Sequence, residues 1–253
     1  MPRRAREKSS TGIYHVMLRG INKQIIFEDN EDYEKFLQII KGYRDECGYE
    51  IYAFCLMSNH IHILIKEAKE DLGMVFRRIG AKYVYWYNWK YNRSGHLFQD
   101  RYKSEVVEND RYFLTVLRYI HQNPIKAGIE KDIKKYPWSS YQEYVGREGI
   151  CDIKFGLGLF SSDAKNAVSL FERFNAQENS DKCLGDIERI RINDIEAAEI
   201  IKKAASVRSL NEIQNFEKEK RNKLIKEFKI KGLSIRQIER LTGISFGVIR
   251  KIK

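Results

Sequence analysis

Tyr49-Glu50-Ile51-Tyr52-Ala53-Phe54-Cys55-Leu56-Met57, then Ser58-Asn59, then His60-Ile61-His62-Ile63-Leu64-Ile65-Lys66 is the stretch that decides the fold. Two runs rich in β-forming residues, separated by two polar ones, predict a tight β-hairpin. Side chains on a strand alternate between faces, so His60 and His62 point the same way, about 6 to 7 Å apart along the chain. Ile61, Ile63 and Ile65 then face the opposite side, where they can enter a core. Two imidazoles on one face of a rigid strand suit a divalent metal. The same pair also fits two half-buried histidines on a pleated surface, and by itself it would serve a phosphoesterase or an oxygenase equally well.

Working outward, Gly12 to Leu18 reads as a first strand. Tyr33, Phe36, Leu37, Ile40 and Tyr43 recur at helical spacing between Asn30 and Cys47. Asp29 or Asn30 can cap that helix and Gly48 can end it. Beyond the hairpin, Asp71 to Tyr91 predicts a long amphipathic helix whose many aromatics (Tyr83, Tyr85, Trp86, Tyr87, Trp89) belong mostly to the core. A strand follows at Tyr102 to Glu108, then a helix from Asp110 to Gln122 ended by Asn123-Pro124. The order strand, helix, strand, strand, helix, strand is that of an α+β, ferredoxin-like split βαβ sheet, here with one added helix.

The added helix carries Leu117-Arg118-Tyr119-Ile120-His121-Gln122-Asn123-Pro124. Tyr119 and Asn123, four residues apart, share a face. An amide oxygen at Asn123 could complete a metal site begun by the histidines, and the Tyr119 phenol would then lie beside a metal-bound phosphate. A phenol with a reference pKa near ~10 is a poor nucleophile without such help. The chain has 15 tyrosines, most of which serve as core or surface aromatics, and Tyr112 lies on a face similar to that of Tyr119. His121 points away from Tyr119 and reads as a surface or packing residue.

The net charge of +11 over 253 residues points to a polyanionic partner, nucleic acid ahead of an anionic membrane surface. The basic start runs into Glu7-Lys8-Ser9-Ser10 with no apolar stretch behind it, so it is not read as a signal peptide, and no window approaches a membrane span. Cys47, Cys55, Cys151 and Cys183 form no C-x-x-C pair. A zinc site or disulfide framework is therefore not expected, and a reducing cytoplasm fits.

After Pro137-Trp138-Ser139-Ser140 the character changes, and the domains are read as 1–145, an irregular connector over 146–192, and a basic helical region over 193–253. Between Lys218 and Lys253 there are 12 Lys or Arg against Glu219, Glu227 and Glu239. Leu233 to Ile252 predicts a helix-turn-helix, with Ser234 and Ser245 as caps and Thr242-Gly243-Ile244 as the turn. Ile235, Ile238, Leu241, Ile244, Val248 and Ile249 would form its core, with helices near 195–205 and 218–231 completing a bundle. This region resembles the DNA-binding domain at the end of the replication initiator DnaA. In such a motif the second helix enters the major groove, which makes Ser245, Phe246, Arg250 and Lys251, with Arg236 before them, candidates for contact with duplex DNA. A bundle that only packs on the first domain is the plainer alternative.

Three ordered motifs carry a wider resemblance: Asn59 to Leu64; Gly95-His96-Leu97-Phe98-Gln99-Asp100-Arg101-Tyr102; and Arg118 to Gly128. With the opening Tyr14-His15-Val16-Met17-Leu18-Arg19-Gly20, they make residues 10 to 145 similar to the HUH single-tyrosine transposases. The likeness is nearest to the group associated with repetitive extragenic palindromes and related to the insertion sequence 200 transposases. The resemblance implies a catalytic domain in which His60 and His62 are metal ligands, Asn123 completes a Mg²⁺ or Mn²⁺ site, and Tyr119 is the nucleophile. It also implies action on single-stranded DNA near a hairpin, leaving a 5′-phosphotyrosine and a free 3′-OH, in a bacterial, nucleoid-associated protein. Arg101 and Lys103, in a polar loop, are the better candidates for DNA contact there, with Arg77, Arg78, Lys82, Tyr83 and Tyr102 as possible stacking or phosphate-binding neighbours. Two other functions stay open: a relative that binds DNA sequence-specifically through its tail and no longer cuts, and a phosphoesterase using water as the attacker.

Overall fold

A computed structural model describes residues 6–184, 194–207 and 209–252. The chain divides into two compact units, Met1–Asp186 and Ile187–Lys253. The first contains strands β1 (Ile13–Arg19), β2 (Glu50–Met57), β3 (His60–Lys66) and β4 (Lys103–Val106), with helices α1 (Asn30–Cys47), α2 (Leu72–Lys90) and α3 (Asp110–Lys126). The sheet order is β2-β3-β1-β4, with every neighbouring pair antiparallel. This is the expected ferredoxin-like arrangement, and the hairpin turns at Ser58-Asn59 as its two-residue spacing requires.

Alternation along the strands sorts the sheet into two faces. Tyr14, Val16, Leu18, Ile61, Ile63, Ile65, Phe54 and Leu56 join Phe36, Ile40, Val75, Phe76, Ile79 and Tyr83 of α1 and α2 in one core. Ala53, Cys55, Met57 and Leu64 face the other way and pack with Phe113, Val116, Leu117, Tyr119 and Ile120 of α3. Helix α1 starts at a capping box formed by Asp29 and Asp32 and ends at Gly48, whose φ of 77° is a left-handed cap. On α2, Tyr83 and Tyr87 are core residues as expected, whereas Tyr85 and Trp89 are 79% and 75% exposed. Edge strand β4 is short and carries Lys103 and Glu105, charges that discourage pairing with another chain.

Three local expectations are corrected. Helix α3 does not stop at Asn123-Pro124 but runs through Pro124 to Lys126, ending before Gly128 at φ 69°. The proline costs one backbone bond, yet Ala127 N still bonds Asn123 O at 3.0 Å, so Asn123 stays in helical phase with Tyr119. The change of character read after Pro137 to Ser140 is no break in packing: Leu56 N bonds Trp138 O and Ser140 N bonds Phe54 O, covering the outer edge of β2. The irregular connector is in large part helical, with α4 (Tyr141–Tyr144) before it and α5 (Ile153–Gly158) and α6 (Ala164–Ala176) within it. Phe171 of α6 is fully buried against Tyr141 and Tyr144; residues 185–192 of the connector lie outside the described residues.

The second unit contains α7 (Asp194–Ala205), α8 (Lys218–Ile230), α9 (Ile235–Thr242) and α10 (Phe246–Lys251). Ala197, Ile201, Leu224, Ile225, Phe228, Ile238, Ile244 and Ile249 form its core. Ser234 caps α9 through a capping box with Gln237, and Gly243 at φ 71° turns the chain toward α10. Ser245 sits at the cap position of α10, but its side chain makes no cap bond; Glu239 Oε1 accepts from Phe246 N instead, at 3.0 Å. Val248, expected in the core, is 39% exposed, because Ile249 and Ile252 take the inward face of so short a helix.

Candidate active site

Each strand contributes to the α3 side of the sheet. Arg19 pairs with His60 and Met17 with His62 in register, so alternate residues His15, Met17 and Arg19 of β1 lie beside the two histidines. The tip of the hairpin is stitched to the loop after β1: Gly20 N donates to Asn59 O at 2.9 Å and Ile26 N to Ser58 O at 2.7 Å. Gly20 has no room for a side chain, since an added Cβ would lie 2.2 Å from Gln24 O.

His60 and His62 lie with ring centroids 5.2 Å apart and planes at 90°. His60 Nδ1 is 2.6 Å from Asn59 Oδ1 and its Nε2 is 3.3 Å from Asn123 Oδ1. His62 Nδ1 is 2.9 Å from His15 Nε2. The Tyr119 ring stands edge-on to both His62 and His15, at 5.5 and 5.8 Å between centroids. The structure therefore gathers all four residues singled out as the chemical centre: His60, His62, Tyr119 and Asn123. Burial lowers the pKa of His60 to about 4, helped by the nearby Arg19 charge and opposed by Asn123. Burial, then His15, His60 and Arg19, hold His62 well below its usual value. Both imidazoles are thus neutral near pH 7, the form that offers a lone pair.

Among the described residues no group of three His, Cys, Asp or Glu side chains is arranged to hold a metal ion. The donor set that does converge is two imidazoles and an amide. His60 Nε2 and Asn123 Oδ1, at 3.3 Å, are close to the spacing of adjacent ligands around a small octahedral cation, about 3 Å for metal–ligand bonds of 2.0–2.2 Å. Three neutral donors leave the cation's charge to be balanced by an anion such as a phosphate. Two imidazoles and an amide can offer three donors to a divalent cation.

Four further side chains belong to this centre and were missed from sequence. Arg19 interacts electrostatically with Tyr119, and burial lowers its pKa against that attraction. Lys126 Nζ is 5.0 Å from the Tyr119 ring centroid. His15 and Glu105 stand behind His62, with Glu105 Oε2 3.9 Å from His15 Nδ1. Period-two alternation in Tyr14 to Arg19 aligned His15 with Arg19, but only the strand register could bring them to His62. Lys126 lies seven residues beyond Tyr119, past the point where Pro124 seemed to end the helix.

The other candidates are placed as follows. His121 is a packing residue: it is fully buried, bonds Ser140 Oγ at 2.9 Å, and is ringed by Tyr141, Tyr144 and Phe171. Arg101 is exposed in the loop before β4, while Lys103 is the first residue of β4 and no loop residue. Lys103 pairs with Met17, which pairs with His62, placing it two strands, about 10 Å, from the histidine. In the second unit Arg236, Ser245, Arg250 and Lys251 are all exposed.

Residues 8–123 match the family model described as "Transposase IS200 like". A REP-associated tyrosine transposase of Haemophilus influenzae is 29% identical over 122 residues, 42% of this chain and 69% of that protein. The REP-associated tyrosine transposase of Escherichia coli K12 is 23% identical over 142 residues, 55% of this chain and 81% of that one. Over residues 8–123, the chain is similar to the IS200-like transposases. A solved REP-associated tyrosine transposase bound to a REP hairpin shares the fold of this chain, with a TM-score of 0.54 at 18% identity, over 75% of this chain and 99% of that one. The family match ends at Asn123, within α3, and the second unit lies outside it.

Proposed function

We propose that this transposase cuts and rejoins single-stranded DNA with Tyr119 as nucleophile and a divalent cation held by His60, His62 and Asn123. The observation that carries the reading is the convergence of these four side chains, from two elements far apart in sequence, on one side of the sheet. A bound Mg²⁺ or Mn²⁺ would withdraw charge from the scissile phosphate and fix its orientation for in-line attack. The chain supplies the rest. Tyr119 Oη forms a bond to phosphorus as the bond to the 3′ oxygen breaks. The phenol gives up its proton and the departing oxygen gains one, leaving a 5′-phosphotyrosine and a free 3′-OH. Attack by a 3′-OH on that link restores a phosphodiester, so no nucleotide cofactor is required. Arg19 and Lys126 bring two cations to the tyrosine, where they offset the charge of the phosphodiester and of the developing phenolate.

The DNA substrate is read as single-stranded with a hairpin nearby, supported by the hairpin bound to the solved relative. Arg101, and Lys103 on the site's face of the sheet, are the proposed phosphate contacts of this unit. The second unit is proposed to bind duplex DNA as a helix-turn-helix. In support, α9 and α10 are joined by only three residues, and Arg236, Ser245, Arg250 and Lys251 are exposed on them.

The test is incubation of the full chain with Mg²⁺ or Mn²⁺ and labelled single strands carrying a hairpin, followed by denaturing electrophoresis. The wild type is expected to give a denaturation-resistant adduct and Tyr119→Phe none. Retained DNA binding with no adduct across substrates would favour a binding-only protein, and strand cleavage without an adduct a water-using phosphoesterase.

A further inference from the structure

Behind His62 lies a file of polar side chains that the cutting reaction does not itself use. His15 is completely buried, with its Nε2 2.9 Å from His62 Nδ1. Its other nitrogen, Nδ1, faces Glu105 Oε2 at 3.9 Å. Burial raises the Glu105 carboxyl, but the nearby His15 and the Tyr112 hydroxyl outweigh it, so Glu105 is held below its usual pKa. Tyr112, on α3 seven residues before Tyr119, bonds that carboxylate through its hydroxyl. The file therefore crosses α3, β4, β1 and β3 and ends at His62.

Placing two neutral imidazoles in contact inside a core costs desolvation that a leucine at position 15 would not incur. The polarity of the file gives the expense a purpose. A carboxylate can only accept, so Glu105 favours the proton of neutral His15 on Nδ1, the nitrogen that faces it. His15 Nε2 is then a bare acceptor. The only hydrogen bond it can make with His62 is one that His62 Nδ1–H donates. His62 is left with its Nε2 lone pair uncommitted.

We infer that His15, oriented by Glu105, is a positioning residue that fixes His62 in the Nδ1–H tautomer and so presents His62 Nε2 to the divalent cation. The inference rests on the reading of His60, His62 and Asn123 as a cation site, and it adds a residue that touches neither cation nor DNA. Partners of this kind set the tautomer and ring orientation of a ligating histidine, and their loss typically weakens metal affinity by about 10- to 100-fold.

The experiment has two readouts, neither of which is strand cleavage. Long-range proton–nitrogen correlation spectra of the ¹⁵N-labelled, metal-free full chain report the His62 tautomer, and Mn²⁺ titration followed by electron paramagnetic resonance reports affinity. In the wild type His62 should be a single Nδ1–H tautomer; a proton on Nε2 overturns the inference with no variant needed. His15→Ala should mix the tautomers and weaken Mn²⁺ binding at least about tenfold. His15→Gln, whose amide reaches the place of Nε2, should recover most of that loss. Glu105→Gln, at a partly exposed position and so a gentler change, should weaken binding in the same direction. Folded His15→Ala and Glu105→Gln proteins that both bind Mn²⁺ as the wild type does, with His62 unchanged, would overturn the inference and leave the cation site standing. A wild type that binds no Mn²⁺ overturns both.

Discussion

Removing the His121 imidazole should flatten the acid sensitivity of the first unit by a calculable amount. His121 is fully buried, and burial lowers its pKa to about 3, with Asn175 opposing. The side chains around it (Ser140, Tyr141, Tyr144, Phe171) carry no charge near neutral pH. At pH 7 His121 is neutral folded and unfolded, so its burial bears no proton-linked penalty. As pH falls below the unfolded value of about 6.5, the unfolded chain binds a proton that the folded chain refuses. Stability is therefore lost on acidification, by about 1.4 kcal/mol at about pH 5.5 and about 2.7 kcal/mol at about pH 4.5 from this residue alone. His60, with a folded value of about 4, adds a loss of the same sign, present in wild type and variant alike. All three tryptophans, Trp86, Trp89 and Trp138, belong to the first unit, so urea denaturation followed by tryptophan fluorescence reports that unit alone. His121→Leu will be less stable at pH 7 because it loses the Ser140 bond, but the comparison that matters is the slope. The variant should lose about 2–3 kcal/mol less than wild type between about pH 7 and pH 4.5. Identical pH dependence would mean that His121 takes up its proton while folded and is not held neutral by its packing.

Other outcomes follow from the same geometry. Gly20→Ala forces a methyl against Gln24 O and Ile26; a tryptophan-monitored melt should show the first unit destabilised by about 1–3 kcal/mol, and an unchanged melt would show that the loop yields freely. Asn123→Ala removes one of three donors and should weaken Mn²⁺ binding about tenfold in a paramagnetic titration, by analogy with the loss of a ligand's supporting partner; unchanged affinity would remove Asn123 from the site. Arg118→Ala breaks the 2.7 Å bridge to Asp181 and the contact over Phe174, so trypsin should cut faster at Lys182, and an unchanged digestion rate would show that the bridge does not hold that segment. Replacing both Arg250 and Lys251 with Ala should weaken duplex binding and lower the salt dependence of log affinity by about 1 to 2; a shift assay with the same slope as wild type would put the duplex elsewhere.

Much of the first unit's fold was legible because period-two and helical patterns are local. Ile61, Ile63 and Ile65 against His60 and His62 specified both the hairpin and its faces, and Tyr119 with Asn123 followed from helical spacing. What the sequence withheld was mostly non-local. Nothing near His15 or Glu105 announces that β1 and β4 bring them behind His62, since that depends on a strand register joining residues 47 positions apart in the case of His15 and His62. Pro124 misled in a different way: its missing N–H costs one bond, and the buried face of α3, with Tyr119, Ile120 and Asn123, keeps the helix going and brings Lys126 over the tyrosine. Phe171 was missed although α6 buries Ala167, Phe171 and Asn175 at helical spacing, and its packing against Tyr141 and Tyr144 ties that segment to the first unit. Val248 was assigned to the core on composition, and a six-residue helix has room for only one inward row.

The central claim is that Tyr119 becomes covalently joined to DNA, and mass spectrometry of the trapped adduct tests it most directly. Trypsin cuts after Arg118 and Lys126, releasing Tyr119-Ile120-His121-Gln122-Asn123-Pro124-Ile125-Lys126, a peptide with a single tyrosine. After nuclease trimming of an adduct formed with Mn²⁺ and a hairpin-bearing single strand, that peptide should carry a nucleotide linked through its 5′-phosphate. A nucleotide on any other peptide, or an adduct of the same yield from Tyr119→Phe, would contradict it.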